Sequence, residues 1–217
     1  IKMGRSISGF RLNQTGGKFG PFEDQIFLGD YTLSLIMRAT TEKINGVWQG
    51  ACYPFREGLA TGLMHVEFSP KGQLIAGGFT TNRQWPVRGT EPYAIQRIDW
   101  TGVVPFEIKE INITTDGFVI HFTKPIDTAQ STKTDLYKLE TYTHNYAAGY
   151  GSPEVDHTTP KVIKAEPADD GLSVRIYLDG IVEGHIHDFD LTGIRSKEGA
   201  PLLHKKAYYT VNEIPKK

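Results

Sequence analysis

Apolar and polar residues alternate along most of this chain, and a turn-forming residue breaks the alternation about every 8–12 residues. Period two places successive side chains on opposite faces of an extended backbone, whereas a helix needs a period near 3.6. The run Leu172-Ser173-Val174-Arg175-Ile176-Tyr177-Leu178 shows the pattern most clearly. Leu172, Val174, Ile176 and Leu178 fall on one face, and the polar residues and Tyr177 fall on the other. Phe118-Val119-Ile120-His121-Phe122 repeats it, as does Met64-His65-Val66-Glu67-Phe68 with Met64, Val66 and Phe68 on one face. One apolar face per strand specifies half-buried antiparallel strands. Asn45-Gly46, Lys71-Gly72, Asp116-Gly117 and Asp170-Gly171 sit between such runs, with glycine supplying the positive φ of tight hairpins. Pro105, Pro125, Pro160 and Pro201 mark strand boundaries, where a missing N–H costs little. The fold class expected is all-β.

Charge and cysteine content narrow the function classes. Among 217 residues, 24 Lys and Arg balance 25 Asp and Glu, for a net charge of -1. That balance lacks the basic footprint of a nucleic-acid binder. No apolar run reaches the ~18–20 residues of a membrane-spanning helix. A single cysteine, Cys52, excludes an internal disulfide framework and any multi-cysteine metal site. The chain opens on Ile1-Lys2-Met3-Gly4 and enters strand-like sequence at once, so it reads as a piece of a longer protein.

An internal repeat organises the first half. Gly9-Phe10, Gln25-Ile26-Phe27-Leu28-Gly29 and Ile36-Met37-Arg38 recur in the same order as Gly62-Leu63, Gln73-Leu74-Ile75-Ala76-Gly77 and Ile95-Gln96-Arg97. The offsets are 53, 48 and 59 residues; repeats of roughly 40–50 residues, each holding about four short strands, are propeller-like, and each unit stacks on its neighbours. Two β-meanders sharing turn chemistry is the alternative. After Trp100-Thr101-Gly102 the pattern changes. Seven strands are expected near 106–113, 117–123, 136–144, 161–167, 172–178, 185–192 and 206–212, the size of an immunoglobulin-like sandwich. The expected architecture is therefore the last one to two blades of a β-propeller over 1–103, then an Ig-like β-sandwich over 104–217.

Longer motifs carry a family resemblance. They are Gly16-Gly17-Lys18-Phe19-Gly20-Pro21-Phe22, Gly50-Ala51-Cys52-Tyr53-Pro54-Phe55-Arg56-Glu57-Gly58, Gln96-Arg97-Ile98-Asp99-Trp100-Thr101-Gly102, Gly151-Ser152-Pro153-Glu154-Val155-Asp156 and Pro201-Leu202-Leu203-His204-Lys205-Lys206-Ala207-Tyr208-Tyr209-Thr210. Together they resemble the C-terminal part of large envelope proteins related to the glucose/sorbosone dehydrogenases. Such proteins are common in Bacteroidetes and Planctomycetes, and many are named membrane-bound dehydrogenases or haem-binding proteins. The resemblance implies an extracytoplasmic location, periplasmic or in the cell envelope, and a quinone- or haem-linked oxidation of sugars or alcohols. It also implies that the catalytic constellation lies outside this chain, which supplies scaffold and part of a channel mouth. The partner so implied is the rest of the propeller; separately, the open edges of one or two blades invite pairing, so either the Ig-like part packs over the blade or a second copy associates with it. Departures bear on the chemistry. Gly29-Asp30-Tyr31-Thr32-Leu33-Ser34 lacks the histidine of the relatives' Gly-Asp-Gln-Thr-His-Ser. Arg83-Gln84-Trp85-Pro86-Val87-Arg88-Gly89 lacks flanking glycines of their Gly-Trp-Gly-Ser-Arg-Gly loop. With one cysteine, Cys-x-x-Cys-His is impossible and no c-type haem attaches here, so no cofactor is expected within the chain.

Candidate ligand-binding residues are those expected on blade-connecting loops: Asp30, Tyr31, Arg56, Arg83, Trp85 and Arg88, with Glu57 beside them. Paired guanidiniums with an aromatic could clamp a quinone or a sugar, because their forked donors meet planar oxygens bidentately. The alternative is that Arg56 and Arg88 pair with Glu57 and Glu91 and fix the loops. His185 and His187 place two imidazoles on one strand face, a weak metal chelate without a third ligand. The alternative puts one of them in the core beside Phe189 and Leu191 and leaves the other solvated. Asp169-Asp170-Gly171 reads as a plain turn, since a calcium loop needs further oxygen ligands. Tyr137, Tyr142, Tyr146 and Tyr150, with His144 and Asn145, could stack on sugars or cap a small core. Two functions follow: part of a sugar or alcohol oxidoreductase, or a non-catalytic carbohydrate- or protein-binding module.

Overall fold

The structure is a computed structural model that describes residues 2–81, 85–149 and 151–216. The chain is all-β, with antiparallel pairing throughout the strand registers described below. Its strands are β1 (Ile7–Leu12), β2 (Ile26–Asp30), β3 (Leu35–Ile44), β4 (Val47–Arg56), β5 (Leu63–Phe68), β6 (Leu74–Phe79), β7 (Tyr93–Ile98), β8 (Ile108–Thr114), β9 (Gly117–Phe122), β10 (Lys138–His144), β11 (Glu154–Thr158), β12 (Val162–Pro167), β13 (Ser173–Leu178), β14 (Ile186–Asp190) and β15 (Lys206–Thr210). Two 3-10 turns, Gln130–Thr132 and Thr134–Leu136, precede β10. Among the described residues no helix is long and apolar enough to cross a membrane.

The chain divides into two compact units. One comprises Ile1–Thr40 and Cys52–Val104, and the other Thr41–Ala51 and Pro105–Lys217. β3 and β4 thus each run from one unit into the other, and the tip of their hairpin belongs to the second. Asn45 and Gly46 turn that hairpin with φ of 48° and 91°, the two left-handed residues of a type I′ loop. Gly117, by contrast, is not a turn residue with positive φ. It begins β9, where a Cβ would strike the Ile176 carbonyl of β13, so the glycine serves close strand approach.

In the first unit, hydrogen-bonded order is β1-β2-β3-β4 in one sheet and β5-β6-β7 in the other. Phe27 and Ile36 of the first sheet meet Leu63, Val66, Leu74 and Ala76 of the second, with Phe19, Phe22 and Leu59 completing the cluster. Four phenylalanines interlock there: Phe27 meets Phe55 and Phe68 edge-on at 4.9 and 5.3 Å, and Phe19 at 5.6 Å. Burying such side chains contributes roughly 1.5–3 kcal/mol each. Arg38 is fully buried in the same unit. Its guanidinium lies 4.3 Å from the centres of the Phe22 and Tyr53 rings, and it donates to Gln25 Oε1 at 2.9 Å. Ring faces supply the negative potential that a buried cation needs.

β5 corrects one expectation. A bulge between Leu63 and His65 shifts the register, so Leu63 and Val66 are buried while Met64 is 43% exposed. An extra residue at a bulge moves the side chains before it to the other face.

In the second unit, β8-β9-β13-β12 forms one sheet and β4-β15-β14-β10-β11 the other. Val174 and Ile176 of β13 pair with Ile120 and Phe118 of β9, all four fully buried. Phe118 meets Phe189 at 5.1 Å and Tyr209 at 5.2 Å, linking β9 to β14 and β15. β11 was not expected. Its sequence, Glu154-Val155-Asp156-His157-Thr158, has no apolar alternation, and the strand is nearly all exposed.

Candidate functional site

Alternating strand direction brings three connections of the first unit to one end. They are 31–34 between β2 and β3, 57–62 between β4 and β5, and 80–92 between β6 and β7. Backbone bonds tie them together. Arg88 N donates to Thr32 O at 2.9 Å, Glu91 N to Ala60 O at 2.9 Å, and Leu59 N to Ser34 O at 3.0 Å. Gly89 N donates to Ser34 Oγ at 2.9 Å.

The six loop candidates divide by role. Asp30 is fully buried, and its carboxylate accepts from the backbone N–H groups of Arg5 (2.5 Å), Ser6 (2.7 Å) and Leu33 (2.7 Å). Those bonds consume its lone pairs in fixing the β2–β3 turn and the entry to β1, so Asp30 is a structural carboxylate. Tyr31 bonds Thr81 through its phenol oxygen, which accepts from Thr81 N at 3.1 Å and lies 3.4 Å from Thr81 Oγ1. Thr81 holds the phenol below its usual range, because a donor to the oxygen stabilises the phenolate. Trp85 and Arg88 stand exposed on the tied loops, and Arg56 stands exposed at the end of β4, next to the 57–62 connection. The alternative pairing of Arg56 and Arg88 with Glu57 and Glu91 is not formed among the described residues. Arg83 lies outside the described residues, as does Tyr150.

His185 and His187 are both buried, at 5% and 0% exposure. His185 Nε2 is 3.1 Å from Asp156 Oδ2 and its Nδ1 is 3.1 Å from Thr141 Oγ1, which in turn meets Thr158 Oγ1 at 2.6 Å. This Asp–His–Thr relay has the order of a nucleophile-activating triad, and Asp156 carries a strained φ of 57°. Its Thr141, however, is fully buried, out of reach of a substrate, so the relay serves to bind β11 to β10. His187 packs against Phe118 at 5.4 Å, and neither ring nitrogen has a hydrogen-bond partner of ordinary geometry. Burial pushes its pKa down to about 4. Among the described residues no group of three or more His, Cys, Asp or Glu is placed to hold a metal ion. A covalent haem does not fit these residues either. Cys52 stands alone, its thiol pushed up by burial.

The outward face of β10, β11, β14 and β15 gathers groups that sequence reasoning did not assemble. His157 Nδ1 is 2.6 Å from Glu140 Oε1, and its ring stacks on Tyr142 at 5.6 Å. Glu140 stands opposite Asp188, whose Oδ1 accepts from Lys206 Nζ at 3.3 Å. Burial and then the Asp188 charge push the Tyr208 phenol up. Of the expected tyrosine cluster, Tyr137 is core, with its hydroxyl donated to Ser131 O at 2.7 Å, and Tyr146 is fully exposed. Only strand pairing brings Glu140, Asp188 and His157 together; no spacing within one segment signals it.

No protein-family model matches the chain, and no curated protein matches it. A solved structure, described as "Structure of surface layer protein SbsC, domains 1-6", is similar to it with a TM-score of 0.39 and 16% identity. The match spans 54% of this chain and 15% of that one.

Proposed function

We propose that this chain is a scaffolding and carbohydrate-holding module of an extracytoplasmic protein related to the glucose/sorbosone dehydrogenases. On this reading 1–103 is the last one to two blades of a propeller and 104–217 is an Ig-like sandwich. The consecutive antiparallel order β1-β2-β3-β4, followed by β5-β6-β7 packed on it, supports blades. In the second unit, β8-β9-β13-β12 supports an A-B-E-D sheet and β15-β14-β10 a G-F-C sheet, the two halves of the immunoglobulin topology.

The observation that carries the functional reading is the tied end of the first unit. Exposed Arg88 and Trp85 and the half-buried Tyr31 sit on two of the three bonded connections, and exposed Arg56 ends β4 just before the third; Arg83 belongs to the 80–92 connection by sequence. Guanidinium forks suit carboxylates and vicinal hydroxyls, and an indole suits the apolar face of a pyranose. A uronate-bearing sugar meets both. Asp30 is committed to holding backbone N–H groups and the His185 relay to holding β11 on β10 through side chains, so on this reading the module binds and does not oxidise. A quinone or haem, and the redox step, are assigned to another part of a longer protein.

Calorimetric titration of the chain with neutral and uronate-containing oligosaccharides tests this, alongside a turnover assay with an artificial electron acceptor. Binding of the uronate series is expected, with no turnover. Trp85→Ala and Arg88→Ala should each weaken it at least about fivefold, the equivalent of ~1 kcal/mol. No binding of either series, or binding indifferent to both substitutions, overturns the reading. Turnover abolished by Arg56→Ala makes the chain catalytic instead.

A further inference from the structure

The internal repeat extends to the faces of the two sheets in the first unit. Phe27 and Gly29 of β2 and Ile36 of β3 face β5–β7, and Leu63, Leu74 and Ala76 face back. These apolar side chains are at most 1% exposed. By the repeat, Phe27, Gly29 and Ile36 correspond to Ile75, Gly77 and Ile95, and Leu63, Leu74 and Ala76 correspond to Phe10, Ile26 and Leu28. Strand register puts both corresponding sets on the outer faces. Glu67, Ile75 and Arg97 form one outward row, His65, Gly77 and Ile95 another, and Phe79 and Tyr93 a third. On the first sheet Phe10 pairs with Leu28. Ile95 is 82% exposed and Phe10 71%, where their counterparts Ile36 and Leu63 are 1% exposed. The unit therefore carries, on its two outer faces, the same complementary pair of surfaces that it buries between its sheets.

Glycine supplies a second observation. A Cβ at Gly29 would stand 3.2 Å from Leu63 Cβ on the facing sheet, a tight contact that the neighbour would have to relieve by a few tenths of an ångström. A Cβ at Gly77 would meet only Ile95 Cγ1 at 3.5 Å and Ala94 O at 3.7 Å, both ordinary contacts on the neighbouring strand. Glycine in a strand interior weakens the strand and marks a bulge or the close approach of another backbone, and the β5 bulge lies opposite Gly77 and Gly78. Among the described residues, no backbone of the facing sheet approaches Gly77.

We propose that the outer face of β5–β7 docks the outer face of β1–β4 of a second copy of this chain, head to tail. The Ile75, Gly77 and Ile95 surface receives Phe10, Ile26 and Leu28, as Phe27, Gly29 and Ile36 receive Leu63, Leu74 and Ala76 within the chain. Met3, which covers part of the β1–β4 face beside Leu28 and Met37, is displaced on docking. A head-to-tail contact either closes into a ring or continues as an open stack. Rings of ~4–8 sheets would take about two to four copies. The proposal rests on the stacked-blade half of the reading above and is independent of the sugar rim.

Sedimentation velocity of the whole chain from micromolar to millimolar concentration tests it. The average mass should rise to at least twice that of one chain. Gly77→Val, whose Cβ makes only ordinary contacts with the described residues, should hold it at one chain with no loss of thermal stability, and so should Ile95→Lys. Mixing Ile95→Lys with Leu28→Lys should restore a complex that stops at two chains, because each variant keeps one working face. A chain that stays single at millimolar concentration overturns the proposal. So does association that survives both face substitutions, or a mixture of blocked variants that stays unpaired. Sugar titration of the same samples reads the rim separately, so the two readings fail independently.

Discussion

At the residue scale, His187 is an imidazole placed where a hydrocarbon would be cheaper. It lies in the second unit's core against Phe118, and burial holds its pKa at about 4, below the usual 6.5. Between those values the unfolded chain binds the proton and the folded chain does not. Stability is therefore full above pH ~6.5 and falls as pH drops toward ~4, by about 3 kcal/mol. Urea midpoints measured from about pH 7 to about pH 4 should decline, and His187→Leu should flatten the slope. A slope unchanged by that substitution would place the acid sensitivity elsewhere. The sequence marked His185 and His187 as a pair; both are buried, but their side chains have different neighbours. His185 found Asp156 and Thr141, because a bulge in the β10–β11 pairing turns Asp156 toward it.

At the element scale, alternation was enough to find the strands of the second half other than β11, because their apolar positions mark a buried face. It failed at β11, where exposed polar residues carry no period, and at β5, where a bulge reverses the face in mid-strand. Neither depends on local sequence; both depend on what lies across the sheet. The packing of β2 on β5 has the same origin. Val66 Cγ1 would lie 3.4 Å from a Cβ at Gly29, with Leu63 Cβ nearer still. Gly29→Val should cost about 1–3 kcal/mol through overpacking, read as a lowered urea midpoint. An unchanged midpoint would mean that the two sheets are less closely packed than this.

At the scale of the whole molecule, the β3–β4 hairpin gives its tip to the second unit. Tyr209 donates its hydroxyl to Glu42 at 2.6 Å and accepts from Gln49 Nε2 at 3.0 Å. Gln49 Oε1 also accepts from Asn212 N and Glu213 N. Tyr209→Phe removes a charge-assisted bond and leaves Gln49 buried with one partner fewer, a loss of about 1.5–3 kcal/mol. Amide hydrogen exchange should then accelerate in β14 and β15 while β2 and β6 keep their protection. Equal acceleration in all four strands would show that the hairpin tip does not act locally.

The sequence by itself determined that this chain is all-β. It also marked most strands, the near-fifty-residue repeat and the residues of the tied loops, because period, turn chemistry and repetition are local properties. It placed Asp30 among the ligand candidates, since nothing in Gly29-Asp30-Tyr31 says that three backbone N–H groups converge on the carboxylate. The tertiary structure alone decided that. It also decided the partners of His185, the owner of residues 41–51, and the exposure of Ile95 where Ile36 is buried. Each of these depends on which surface lies opposite, and packing sets that between segments far apart in the chain.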